Sequence, residues 1–239
     1  MNTWWLDERG HAGAEHLDPA YVAGYERKAG FDPAEDVDAL CRRGLTTESV
    51  VVDLGAGTGA FTTAVAPLSR EVVAVDISPA MLDVLRARIG AAGLDNVRVI
   101  EGGFLSYRHE GAPADFVFTR NALHHLPDFW KAIALDRLAG ILRPGGVLRL
   151  KDLVFDFDPP AADERIRAWL DGATADPSVG YTSDELAEHV RQEFSTFSWI
   201  LEEMLERAGF TLLDRQYVRS VYATYTCEAS VSRAATPFH

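Results

Sequence analysis

Cysteine is scarce in this 239-residue chain, with only Cys41 and Cys227. Two thiols cannot make a disulfide framework, so they are expected free and packed, as in a reducing compartment. Basic residues are also few. Lys plus Arg number 23 against 36 Asp plus Glu, a formal charge of -13, and no Lys/Arg cluster stands out. A phosphate backbone needs a basic face to displace counterions, so nucleic acid is not the expected partner. The acidic surplus reads as a solubilising shell. No apolar run approaches the roughly 20 residues of a bilayer crossing. Residues 1–8 lack the basic and apolar regions of a signal peptide. A soluble, cytoplasmic protein making no membrane contact is therefore expected. What remains is globular in character: 47% hydrophobic and 25% charged residues, enough to build one large core.

The order of elements indicates the fold class. Asp18-Pro19 and Asp32-Pro33 are helix starts, the second placing Val37, Leu40 and Cys41 on one face. From Ser49 the pattern becomes strand, helix, strand. Val50-Val51-Val52, residues 71–76, 97–100, 115–118 and 147–153 read as buried strands. Ser78-Pro79 caps a helix carrying Met81, Leu82, Leu85 and Ile89, and residues 127–142 form an amphipathic helix stopped by Pro144-Gly145-Gly146. Buried runs alternating with helices predict a parallel sheet covered on both faces. Further on, Thr182-x-x-Glu185 is a capping box for a helix running, with a break, to Arg207. Residues 211–228 read as two strands turning near Arg219-Ser220, hence antiparallel. The expected organisation is one domain: an N-terminal helical lid (1–48), a core (49–155), a helical insertion (156–194) and a closing helix with strands (195–239).

Val52-Asp53-Leu54-Gly55-Ala56-Gly57-Thr58-Gly59-Ala60 joins a strand to a helix. Its glycines permit a tight turn and let a ligand lie against bare main chain. Asp76, ending the next strand, could accept both hydroxyls of a ribose. Gly55, Gly57 and Ala60 also satisfy the dinucleotide pattern, so spacing alone leaves a nicotinamide cofactor open. Asp53 favours a different ligand. A buried carboxylate beside the loop would repel a pyrophosphate but welcome an ammonium or sulfonium. The competing reading makes Asp53 an internal acceptor for the loop.

Residues 50–60, the acidic strand end Val75-Asp76-Ile77-Ser78, the segment Asn121-Ala122-Leu123-His124-His125-Leu126 and the turn Leu142-Arg143-Pro144-Gly145-Gly146 together resemble class I S-adenosylmethionine-dependent methyltransferases. Within that superfamily they are most similar to the small-molecule branch that includes quinone C-methyltransferases. The resemblance implies a doubly wound, Rossmann-like α/β fold with seven strands, mostly parallel, and the last antiparallel. It implies that Asp53, Gly55, Ala56, Gly57 and Gly59 hold the methionine end of S-adenosyl-L-methionine, Asp76 the ribose, and Ile77 the adenine. Arg120 and Asn121 would approach the methionine amino group. Relatives often carry Asp where this chain has Gly103, an Asp that receives the adenine amino group; here the Phe104 backbone N–H is the remaining candidate.

Methyl transfer from a sulfonium needs alignment and a dry site, with a general base only where the acceptor must lose a proton. His124 and His125, just past the fourth strand, are the base candidates; packing is the competing reading. Tyr25 and Lys28 share a face of the first helix and could cap the cofactor, Lys28 meeting its carboxylate. Trp169, Tyr181, His189 and Phe194 in the insertion would suit a flat or apolar small-molecule methyl acceptor. No metal is expected, because Asp152 stands as a stray carboxylate. The alternatives are a non-catalytic S-adenosylmethionine-binding protein and a nicotinamide-dependent oxidoreductase.

Overall fold

In the computed structural model, which describes residues 4–230, the expected strands lie side by side. Residues 1–3 and 231–239, the latter part of the expected closing segment, are outside the described residues. β1 (Val50–Leu54), β2 (Glu71–Asp76), β3 (Val97–Glu101), β4 (Ala114–Arg120) and β5 (Leu142–Phe155) are mutually parallel. A two-residue β6 (Thr196–Phe197) pairs with the end of β5. β7 (Phe210–Val218) and β8 (Tyr222–Ala229) complete the sheet, β8 running antiparallel to both β5 and β7. The order β3-β2-β1-β4-β5-β8-β7 is the doubly wound arrangement expected. It reverses direction between β1 and β4, so a crevice opens at the carboxyl ends of those two strands.

Helices cover both faces: α1 (Pro19–Ala29), α2 (Ala34–Arg42), α3 (Ala60–Val65), α4 (Pro79–Ala92), α5 (Asp128–Ile141), α6 (Ala162–Asp171), α7 (Ser183–Gln192) and α8 (Ser198–Arg207). Side chains alternate across a strand. Val50, Val52 and Leu54 therefore join Leu135, Leu138 and Leu205 in one cluster, while Val51 joins Leu40, Phe61 and Phe116 in the other. Asp18, Ser78 and Thr182 cap their helices as the sequence predicts, Thr182 and Glu185 forming the full capping box. Arg219 and Ser220 both have positive φ, the requirement of the tight hairpin expected there.

One feature differs from expectation. β5 begins at Leu142 rather than after Pro144-Gly145-Gly146, because Leu142 already pairs with Ala114 before a register shift. Asp36 is fully buried and binds Arg149 Nε and Lys151 Nζ, each at 2.9 Å, tying α2 to β5. Both cysteines are free, Cys227 buried and Cys41 exposed. Among the described residues, no helix is long and apolar enough to cross a membrane.

Candidate active site

The glycine loop rests on the end of β2. Gly55 and Ala56 donate their N–H groups to Val75 O, at 2.8 and 3.0 Å, and Gly57 donates to Asp76 Oδ2 at 2.7 Å. Gly55 has φ +77°, and a Cβ there would stand 2.6 Å from the Ala122 Cβ. Backbone strain and crowding both demand glycine at this position. Thr119 Oγ1, buried without a hydrogen-bond partner, lies 3.9 Å from the same Cβ site. Asp76 also accepts the Ser78 N–H at 2.8 Å.

Three neighbouring cavities open around the loop. The first is lined by Gly55, Gly57, Asp76, Ile77, Phe104, Arg120 and Asn121. The second lies against Asp53, Ala56, Gly57 and Phe61. The third, about 710 Å³, is walled by Tyr21, Tyr181, Tyr222 and Phe194 together with a group of histidines. Tyr25 borders all three, and Asn121 and His125 border the first and third. Asn121 holds φ +48°, uncommon outside glycine, and donates its N–H to Lys151 O at 2.9 Å. Gly59, at φ +84°, caps α3 against Leu85 and supports the loop without bordering these cavities.

Several sequence expectations change here. Lys28 does not reach the cavities beside the loop. Its ammonium pairs with Glu185 and lies 5.0 Å from the Tyr181 ring centroid, fastening α1 to α7. The cation at the loop is Arg120, packed 4.2 Å over the Phe31 ring. A guanidinium only donates hydrogen bonds, so Arg120 cannot accept from an amino group and suits a carboxylate instead. Asp53 borders the second cavity, but its carboxylate takes the hydroxyl of Thr62 on α3, an internal partner outside the loop. Burial pushes its pKa up to about 7. Burial also raises Asp76, against the pull of its backbone donors. Among the described residues, these two buried carboxylates accept from hydroxyl and N–H donors and pair with no basic side chain, a setting that favours a positively charged ligand. The Phe104 N–H, expected to serve the ring of a base, lies next to the Glu8 carboxylate, which accepts the neighbouring Leu105 and Ser106 N–H groups. Trp169 does not border the large cavity; it is buried, with Nε1 donating to the Tyr222 hydroxyl at 3.2 Å.

The histidine pair divides into two unlike groups. His124 is buried, its ring Nδ1 against Asp152 Oδ1 and its backbone N–H donating to Asp152 Oδ2 at 3.1 Å. Its Nε2 stands 2.9 Å from Glu193 Oε2, which also meets His189 Nδ1 at 2.7 Å. Burial alone would lower its pKa, but the two carboxylates overcome this and hold it at about 9. His125 has the opposite fate: desolvation, aided by the charge on His124, depresses it to about 3. At neutral pH His124 is an imidazolium and His125 a neutral imidazole. Asp152 is thus no stray residue, and the break between α7 and α8 delivers Glu193. Phe194 fixes that break, its N–H donating to His124 O at 2.9 Å and its carbonyl accepting from Lys131. His124, His125 and Glu193 offer ligand atoms within 4.8 Å of one another, a grouping the sequence did not suggest. Glu193 Oε2 lies within ion-pair distance of two imidazoles, His124 and His189, yet is buried without a hydrogen bond to either.

Residues 51–146 match a family model described as a methyltransferase domain. An uncharacterised methyltransferase of Exiguobacterium sibiricum is 31% identical over 174 residues, spanning 73% of this chain and 74% of that protein. A trans-aconitate 2-methyltransferase of Methylobacterium radiotolerans is 35% identical over 116 residues, 48% of this chain and 42% of its own length. Among solved structures, an S-adenosylmethionine-dependent methyltransferase from Aquifex aeolicus shares the fold with a TM-score of 0.60 at 19% identity, covering 89% of this chain and 98% of that one. The glycine cradle, the strand-end carboxylates and these relatives agree: the chain belongs to the class I methyltransferases and uses S-adenosyl-L-methionine.

Proposed function

We propose that the protein methylates a small, flat acceptor held in the 710 Å³ cavity, with His125 placed to take the proton such an acceptor loses. The carrying observation is that this cavity adjoins the glycine-loop cavity through Tyr25, Asn121 and His125. Its volume falls in the range of small-molecule sites, and its tyrosine, phenylalanine and histidine walls suit a ring. The resemblance to quinone C-methyltransferases names one such acceptor class. The trans-aconitate relative names another, an unsaturated carboxylate. A screen of small acceptors with methyl-labelled cofactor, followed by identification of the labelled product, tests the reading. Label entering only protein or nucleic acid would overturn it.

The cofactor supplies a methyl group on a positively charged sulfur, already activated for in-line displacement. The chain's work is to bind, orient and exclude water. Gly55, Ala56 and Gly57 leave room for the methionine chain, and Arg120 takes its carboxylate in the role expected of Lys28. Asn121 presents a side chain on the same rim. Asp76 faces the ribose, with Ile77 beside the base. Asp53 supplies negative potential toward the amino group through the second cavity. Tyr25 and its helix close over the site as a lid, braced on α7 by Lys28.

Two measurements bear on the cofactor part. Gly55→Ala is expected to lower affinity for S-adenosylhomocysteine more than about tenfold in calorimetry, with a stability loss of about 1–2 kcal/mol from the positive φ. Unchanged affinity would remove the cradle from the account. Asp53 gives a pH dependence. An ammonium prefers the ionised carboxylate, so binding lowers a pKa near 7 and releases a proton. Affinity should therefore rise between pH 5 and 7, by up to about tenfold per unit, then level off. Asp53→Asn should flatten that slope; a wild-type affinity already flat over the range would exclude Asp53 from this role.

A further inference from the structure

Gly103 stands where relatives often place a carboxylate, but the place is filled. A Cβ on Gly103 would lie 2.6 Å from Glu8 Cδ, 2.8 Å from Oε2 and closer still to Oε1. Gly103 does not use left-handed backbone, so space rather than conformation keeps glycine there. Glu8 comes from the N-terminal segment, nearly a hundred residues away, and is held firmly. Its Oε2 accepts the Leu105 N–H at 3.0 Å, the Ser106 N–H at 3.1 Å and the Ser106 hydroxyl at 3.1 Å. The segment itself is anchored by Trp5, whose ring packs 5.1 Å from that of Trp130.

Glu8 lines the first cavity, as does Asp76, and Ile77, Met81 and Phe104 are among its apolar walls. A slot with apolar sides and a second carboxylate on its wall fits a flat heterocycle that presents a donor at its edge. Adenine does so with its exocyclic amino group. A purine carrying oxygen at that position would instead bring one acceptor against another, leaving a buried group unpaired.

We propose that Glu8 selects the adenine base of the cofactor, its Oε1 accepting the exocyclic amino hydrogen while Oε2 stays on the 105–106 backbone. The N-terminal segment thereby becomes part of the cofactor site, and its docking is linked to cofactor binding. The inference rests on the cofactor alone, not on the acceptor, so it stands or falls separately from the small-molecule reading.

The test is calorimetric binding of S-adenosylhomocysteine and of S-inosylhomocysteine, which carries oxygen in place of the amino group. The wild-type protein should prefer the adenosyl compound by about ten- to a hundredfold, as expected for a hydrogen bond to a charged group. Glu8→Ala should reduce the preference to near unity. Gly103→Asp added to Glu8→Ala should restore it, since the vacated space then accepts a side chain from position 103. Glu8→Gln gives a signature that a structural role cannot imitate. Its amide oxygen is needed by the Leu105 and Ser106 donors, so its NH2 faces the slot and the preference should invert toward the inosyl compound. Thermal melts identify any variant that fails to fold, and the Gln variant keeps the length and acceptor of the native side chain. Equal weakening of both ligands, or an unchanged preference in Glu8→Gln, would overturn the proposal.

Discussion

Asp152→Ala is expected to destabilise the protein by about 3–5 kcal/mol in urea unfolding, the loss typical when one partner of a buried ion pair is removed. Three contacts go at once: the His124 ring, the His124 N–H and the Leu153 N–H at 2.8 Å all lose their acceptor. His124 would then be left facing Glu193 alone. His124→Gln should be costly by itself, and adding Asp152→Asn should cost less than the sum of the two single changes, because each breaks the same pair. The pair also sets a pH window. The folded pKa of His124 is raised from 6.5 to about 9, so its contribution is complete below pH 6.5 and fades as pH rises through 9. Asp152 is shifted down, so its contribution is complete above its ordinary 3.8 and fades in acid. Unfolding free energy should therefore fall from pH 6.5 to about 9 in the wild type and much less in His124→Gln. A wild-type curve flat across that interval would show that the pair does not stabilise the fold.

The weight of this pair explains why its members were hard to read in sequence. Asp152 lies near the end of a strand that also carries Arg149 and Lys151, and nothing local in sequence points to His124 as its partner. Only the β4–β5 register, Arg120 against Lys151, brings it beneath the segment carrying His124. Glu193 is 69 positions from His124 and arrives through a break between helices whose existence, but not direction, follows from the helix signals. The fold was far more legible. The continuous apolar run of β1, the capped, proline-led starts of α1 and α4 and the capping box on α7 are local signals, and local physics decides them. The glycine loop was legible for the same reason, since its turn is built from neighbours in sequence. Lys28 shows the limit. Its place on the lid helix was clear, but Glu185 claims its charge from another element, and Arg120 takes the position at the loop. Asp53 shows another: a carboxylate at a strand end can turn inward to a helix hydroxyl as readily as outward to a ligand.

Replacing His125 with Gln is expected to reduce turnover about a hundredfold, the lower end of what a positioned general base contributes, while leaving S-adenosylhomocysteine affinity within about threefold. His125 borders both the glycine-loop cavity and the acceptor cavity, and it is the uncharged member of the pair. A neutral imidazole can accept a proton; the imidazolium of His124, locked between Asp152 and Glu193, cannot. The same charge weakens His125 as a base, since proximity to His124 helps to hold it at about 3. An acceptor with an acidic hydroxyl or C–H, rather than an aliphatic alcohol, is matched to so weak a base. Glu193 Oε2, 3.8 Å from His125 Nδ1, stabilises the proton once transferred. With a pKa near 3, His125 is fully deprotonated from about pH 5 upward, so it should impose no acid limb on turnover in that range. His124→Gln removes the neighbouring charge and should raise the His125 pKa, bringing an acid limb toward the assayable range and steepening it at low pH. A His125→Gln enzyme turning over at the wild-type rate would leave His125 as a wall of the cavity and nothing more.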